Sequence, residues 1–429
     1  MKRRDFIKKT GLLGAAGLML PVAKLYGAIE GGYTGRLLIQ LQVEGGWDVS
    51  SYCDPKVNQP GEKEITNWSK TSDIQQVGNI PFAPYANNAA MFEKYHRDML
   101  VINGVDMQTN SHQVGVLYNW SGRNSVGFPT LTAMFAASNA PEQPLSYLNF
   151  GGFAQTRNLV RFSRLDDMTA LKNLIRPEKI YGEDTTVRNA DDLARIRAAA
   201  QARLVRQLSN PKLTPRQFDN LSAYHQSMNS RSILTEFSSY LPSSDETIAD
   251  QQVNIETKSS LQRQIQLTIA AFNAGLASAS DLYVGGYDTH NDHDLLHEPL
   301  LQHLNKSIDL LWTSAEAANI ADRLTVIIGS DFSRTPHYNT ENGKDHWPIG
   351  SVIVMEKSPS WGNRVVGSTD EMQNARSINP KTLQHDDEDG TRIYPNHVHK
   401  ALRRHLGLEN TAVDQNFKFL GTEDFDFFG

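Results

Sequence analysis

The chain has 429 residues, 42 Lys and Arg against 48 Asp and Glu, 39% apolar and 21% charged residues, and a formal charge of −6. That composition excludes collagen-like, coiled-coil and globally disordered chains, and the acidic balance excludes a broadly basic face for nucleic acid. The one cysteine, Cys53, cannot make an intrachain disulfide or a cysteine-rich metal centre, so any metal would have to be held by His, Asp and Glu.

Residues 1–28 read as a secretory signal. Arg3 and Arg4 stand in a basic head, followed by Phe6 and Lys8. The apolar stretch that begins at Gly11 is too short for a spanning helix, which needs about 20 residues. The paired arginines mark the twin-arginine type and predict a periplasmic or otherwise exported protein, with no integral membrane segment after cleavage. Removing this segment leaves 36 basic and 47 acidic residues, a charge of −11.

Arg36 to Val43 reads as a buried strand ended by Gly45-Gly46, with Trp47 and Asp48 beyond it. Asp98 to Asn103 is a second strand. Gln113 to Trp120 is helical in pattern, with Asn110 or Ser111 as N-cap, and Pro129 to Ala137 opens another helix. From about 166 to 280 the chain is rich in Ala, Leu, Arg and Gln, notably over Ala190 to Leu208 and Gln262 to Ala277. It reads as a helical insertion interrupted by Pro211, Pro215 and Pro242. Alternation then resumes with a strand over Leu282 to Val284 and a helix over His293 to Ala318. Strands over Leu324 to Ile328 and Ser351 to Met355 follow, then a closing helix over Asn396 to Leu406. Strands separated by helices predict an α/β core, a mostly parallel sheet sandwiched by helices. In such sheets ligands sit beyond the carboxyl ends of strands, where Asp48, Ser111, Asp288 and Asp331 fall.

Ten of the thirteen histidines lie between His290 and His405. The densest piece is Tyr287-Asp-Thr-His-Asn-Asp-His-Asp294, where Asp288, His290 and His293 offer carboxylate and imidazole to a divalent ion. The other reading of that piece is a polar helix start capped by Asn291 or Asp292. Asp331 follows an apolar strand, and Arg334 offers a donor fork either to an oxyanion or back to Asp331. Asp345-His346 lie on a loop near Gly343, as ligand, turn or structural hydrogen bond. Ser111 is either a helix cap alone or also a nucleophile near a metal, and His112 beside it could be a ligand, a base or an ester contact. His397 and His399 read as structural. There is no nucleophile-elbow, phosphate-loop, zincin or dinucleotide motif.

The signal segment, Gly45-Gly46-Trp47-Asp48, Ser111-His112 with Trp120 and Gly122, Asp288-Thr289-His290, Asp331-Phe-Ser-Arg-Thr-Pro336 and Asp345-His346-Trp347 together resemble the exported family called domain of unknown function 1501. The resemblance covers nearly the whole mature chain. That family is related to the alkaline phosphatase and sulfatase superfamily, which hydrolyses phosphate or sulfate esters with metal ions. The resemblance implies an alkaline-phosphatase-like core over 29–429, Ser111 as nucleophile and Arg334 on the anion. It also implies divalent metal, zinc, manganese or calcium, on Asp48, Asp288, His290, His293, Asp331 and His346. The substrate would be a small-molecule or glycan ester. One departure stands out. Where the superfamily has a histidine after the second-site aspartate, this chain has Phe332, so that site lacks its nitrogen ligand. The second functional reading is therefore a non-catalytic binding or assembly protein of the cell envelope, with an envelope protein as partner.

Overall fold

In a computed structural model, which describes residues 28–429 except 152, 165–188, 230, 244 and 254–257, the run Leu37–Val43 is buried at every position. A strand apolar on both faces needs cover on both faces, and a parallel sheet between helices provides it. The predicted signal over 1–28, except its last residue, and the first part of the predicted insertion, up to residue 188, lie outside the described residues.

Eight strands make the sheet: β1 (Leu37–Val43), β2 (Met99–Asp106), β3 (Tyr147–Asn149), β4 (Phe162–Ser163), β5 (Ala279–Val284), β6 (Leu324–Ser330), β7 (Ile349–Met355) and β8 (Arg364–Val366). Their order is β8-β2-β7-β6-β1-β5-β3-β4. β1 pairs in parallel with β5 and β6, while β7 runs antiparallel between β6 and β2. The carboxyl ends of β1, β5 and β6 and the amino end of β7 therefore meet at one edge of the sheet.

One face carries α1 (Asn88–Tyr95), α7 (Leu261–Asn273) and α8 (His293–Ala317); the other carries α2 (His112–Ser121), α3 (Leu131–Asn139) and α9 (Pro395–His405). Side chains alternate along β1. Leu37, Ile39, Leu41 and Val43 enter the core under α7 and α8, and Leu38 enters the opposite core with Phe135 and Leu402. Gln40 and Gln42 face that second side and bond to Asn119 of α2. The sheet and its helical layers are the α/β arrangement expected.

The helices α4 (Ala190–Leu208), α5 (Pro215–Asn229) and α6 (Arg231–Phe237) fall within the predicted insertion. α4 is exposed over most of its length, with Leu204 its buried residue. α7 was assigned to that insertion by sequence, yet it packs against α8 and β5 with nine buried residues. Its strong one-sided apolar stripe marks it as part of the core layer. Among the described residues, no helix is long and apolar enough to cross a membrane.

Candidate metal centre

β1 ends in Glu44-Gly45-Gly46, and both glycines adopt positive φ, +110° and +81°. A Cβ on Gly45 would lie 2.5 Å from the Asp288 nitrogen, and one on Gly46 would lie 2.9 Å from the Phe332 ring. Only glycine accepts both constraints. The turn aims two successive N–H groups at the wholly buried Asp331, whose Oδ1 accepts from Gly45 at 3.1 Å and Gly46 at 3.0 Å. Ser330 Oγ donates to the same oxygen at 2.9 Å. The other oxygen, Oδ2, accepts a short bond from His112 Nδ1 at the start of α2.

His112 is one of three imidazoles built alike. Its Nδ1 is tied to Asp331, that of His290 to Asp345 Oδ1 at 2.8 Å, and that of His346 to the Asn110 carbonyl at 2.7 Å. Each of these partners accepts, so each Nδ1 carries a proton, and a neutral ring in that tautomer offers the lone pair of Nε2 to an ion. The three Nε2 atoms converge on Asp288: His290 and His346 at 3.0 and 3.1 Å from Oδ1, His112 at 3.4 Å from Oδ2. The His290 and His346 Nε2 atoms are 3.0 Å apart. Two imidazoles on one tetrahedral zinc at the usual bond length stand about 3.3 Å apart. Ligand atoms of His112, Asp288 and His346 all lie within 4.8 Å of one another. His112 Nε2 is buried without a hydrogen-bond partner. This donor set suits a divalent ion, and the acceptor behind each ring is the outer support that fixes tautomer and orientation.

The loops that hold these rings are zipped together. His293 N–H donates to the Asn342 carbonyl at 2.9 Å, and Asp292 N–H to that of Glu341. A Cβ on Gly343 would fall 1.8 Å from the His290 carbonyl. His346 pairs with Arg334 in a short antiparallel ladder. Burial pushes the Asp288 carboxyl up, but the Arg334 guanidinium and then His112 and His346 outweigh it and hold the group below its ordinary value. The His112 imidazole is shifted upward chiefly by its bond to Asp331.

Arg334 spends its fork on groups of the protein itself. It is wholly buried, with Nε on the Gly46 carbonyl at 3.0 Å, Nη1 on that of Lys344 at 3.0 Å, and Nη2 on the Gly45 carbonyl and on Asp288 at 2.5 Å. The guanidinium stitches three loops and positions Asp288.

Asp48 and His293 lie apart from the open cluster, in a second one that is fully buried. Asp48 Oδ2 accepts from Lys344 Nζ at 2.8 Å, His293 Nε2 at 3.1 Å and Ser51 Oγ at 3.0 Å; Oδ1 accepts from Ser50 N and Oγ. His297 Nε2 accepts from the Asp48 N–H at 3.0 Å. Burial alone would raise the Asp48 carboxyl, but Lys344 and His293 drive it well below its ordinary value. Burial holds both imidazoles neutral, outweighing the pull of Asp48. Asp331 supports His112 from behind and does not face Asp288 itself.

The nitrogen thought to be missing beside Asp331 comes from His112, 219 positions away. Phe332 takes a different part: its ring packs 4.6 Å from both the His112 and His346 rings and walls the centre on its inner side. Ser111 is exposed at the α2 N-cap, and its side chain makes no capping bond. The residue that sequence reasoning missed is Lys344. Its signal was a lysine between Gly343 and Asp345, in the piece already marked for its polarity.

The profile of a family described as "Protein of unknown function (DUF1501)" matches residues 36–387. No curated protein matches the sequence. Solved structures similar to the chain include a putative sulfatase from Bacteroides thetaiotaomicron, at 10% identity over 91% of this chain and 76% of that one, TM-score 0.35. The lipoteichoic acid synthase LtaP from Listeria monocytogenes matches at 9% identity over 85% and 75%, TM-score 0.33. A phosphonate monoester hydrolase of Agrobacterium radiobacter matches at 11% identity over 91% and 79%, TM-score 0.34.

Proposed function

This chain belongs to the DUF1501 family, and from that premise we propose that it is an exported, metal-dependent hydrolase of phosphate or sulfate esters carried on small molecules or glycans. The observation that carries the reading is the convergence of three oriented imidazoles on Asp288. His112, His290, His346 and Asp288 would hold one divalent ion, with zinc, manganese and calcium as candidates. Such an ion, when bound, polarises an ester oxygen and lowers the pKa of a nearby nucleophile. Asp331, Asp345 and the Asn110 carbonyl keep the three rings in the ligating tautomer.

Ser111 is the candidate nucleophile. It stands at the amino end of α2, where backbone N–H groups and the helix dipole favour an anionic oxygen. Phe332 excludes water from the inner side of the centre. Export by the twin-arginine route is read from Arg3 and Arg4.

One observation favours the second reading, a non-catalytic binding or assembly protein of the cell envelope with a protein partner. Among the described residues around the centre, Arg334 and Lys344 are both buried and engaged, so neither meets an arriving anion. Metal content, together with hydrolysis of aryl phosphates and aryl sulfates, separates the readings. The hydrolase should contain one ion per chain, lose activity but keep its ion in Ser111→Ala, and lose both in His346→Ala. A folded, metal-free and inert protein sinks the hydrolase and leaves the envelope role.

A further inference from the structure

We infer that Lys344 is a built-in cation closing a second divalent-metal site made by Asp48, His293 and Ser50. The donor set is of the ligating kind: a carboxylate, an imidazole and a hydroxyl, all wholly buried. The ammonium sits within it, 2.8 Å from Asp48 Oδ2 and 3.1 Å from Ser50 Oγ, with the Tyr338 ring 5.2 Å beyond. His293 Nε2 reaches the same Asp48 oxygen at 3.1 Å.

The backbone that carries the ammonium is held on both sides. The Lys344 N–H donates to the Thr289 carbonyl at 3.0 Å, and its own carbonyl accepts from Arg334 Nη1 at 3.0 Å. Residue 344 is thus pinned from both sides, and a fixed lysine holds a positive charge that no chelator removes. A buried carboxylate that stays ionised is stabilised by one such charge. Supplying it covalently makes a metal ion superfluous there.

The same loops serve the open cluster, since Asp345 and His346 follow Lys344 directly and Arg334 spans both. The chain would therefore take one ion where Asp288 lies and none at Asp48. The first half of that count rests on the function proposed above; the second half does not.

The test is metal content after zinc loading, with thermal unfolding, on wild type, Lys344→Ser, Lys344→Met and Asp48→Asn. Lys344→Ser removes both the charge and the far end of the side chain. It should hold one more ion than wild type, and zinc should raise its lowered Tm. Lys344→Met leaves the space filled and should stay at the wild-type count. Asp48→Asn should also keep the wild-type count. A folded Lys344→Ser with no extra ion overturns the inference, and so does loss of an ion in Asp48→Asn. If Lys344→Ser does not fold even with zinc, the Asp48→Asn count decides alone. A wild type with no ion beside a Lys344→Ser with one would overturn the single-ion reading of the open cluster and support the closed site.

Discussion

Two clusters of histidine and carboxylate lie side by side at the carboxyl edge of the sheet, assembled from the same loops. In one, His112, His290 and His346 face a partly exposed Asp288 with their Nε2 atoms. In the other, His293 and Lys344 both point at an Asp48 with 0% of its side chain exposed. The difference teaches that a carboxylate among imidazoles is not by itself a ligand. What decides is where the protein cation sits: Lys344 lies among the donors around a wholly buried Asp48, whereas Arg334 reaches one oxygen, Oδ1, of an Asp288 that stays partly exposed. The first arrangement holds the loops together; the second leaves the Nε2 atoms of three imidazoles gathered at the carboxylate.

The sharpest way to break the comparison is to unpair the closed cluster. Lys344→Met leaves a buried carboxylate without its cation and should cost about 3–5 kcal/mol in urea-induced unfolding. A loss within experimental error would mean the two clusters do not differ as argued.

A third carboxylate sharpens the role of the cation. Asp281 is as buried as Asp48, but its partners Thr132, Tyr147 and Asn149 are uncharged, and burial pushes its carboxyl up to about 7. The two groups should bend the pH–stability curve in opposite senses. The Asp48 pKa is lowered on folding, so its contribution is present above pH 4 and is lost as pH falls below that. The Asp281 pKa is raised on folding, so its contribution is present below about pH 4 and is lost as pH rises through about 7. That loss is at most about 4 kcal/mol. Asp281→Asn should flatten the decline between pH 4 and 8; an unchanged slope would assign the decline elsewhere.

Smaller effects separate fold from ligation. His346→Ala should weaken divalent-ion affinity more than about 100-fold, while a partly exposed side chain costs stability little. Equilibrium dialysis beside thermal melts reads both. His293→Ala should do the reverse, and a matched response would merge the clusters. Smallest is Asp331→Asn, which keeps the shape behind His112 but removes the charge; about 10- to 100-fold weaker metal binding is expected. An affinity equal to wild type would remove Asp331 from the support of the centre.

Much of this could be read locally. A run such as Leu37–Val43, apolar on both faces, has no stable place outside a covered sheet. Gly45-Gly46 after it requires a turn at the strand end, and the carboxylates past β1, β5 and β6 had no packing reason to be there. Asp288, His290 and His346 were legible as candidates because polar groups beyond strand ends share one crevice. Arg334 misled because its fork suits a carbonyl cluster as well as an anion, and only the folded loops show which it meets.

His290 and His293 show where local reading stops. They are three positions apart, but the chain between them turns through Asp292 at φ +44° before α8 begins. That turn leaves His290 outside with Asp288 and sends His293 into the protein toward Asp48. By itself the sequence determined five of the eight strands of the sheet and the kinds of side chain gathered at their ends, because periodicity and glycine are properties of neighbours along the chain. Only the tertiary structure decided which carboxylate meets a lysine 296 positions away and which stays open to an ion. Charge pairing acts through space, and residue type carries no record of the partner.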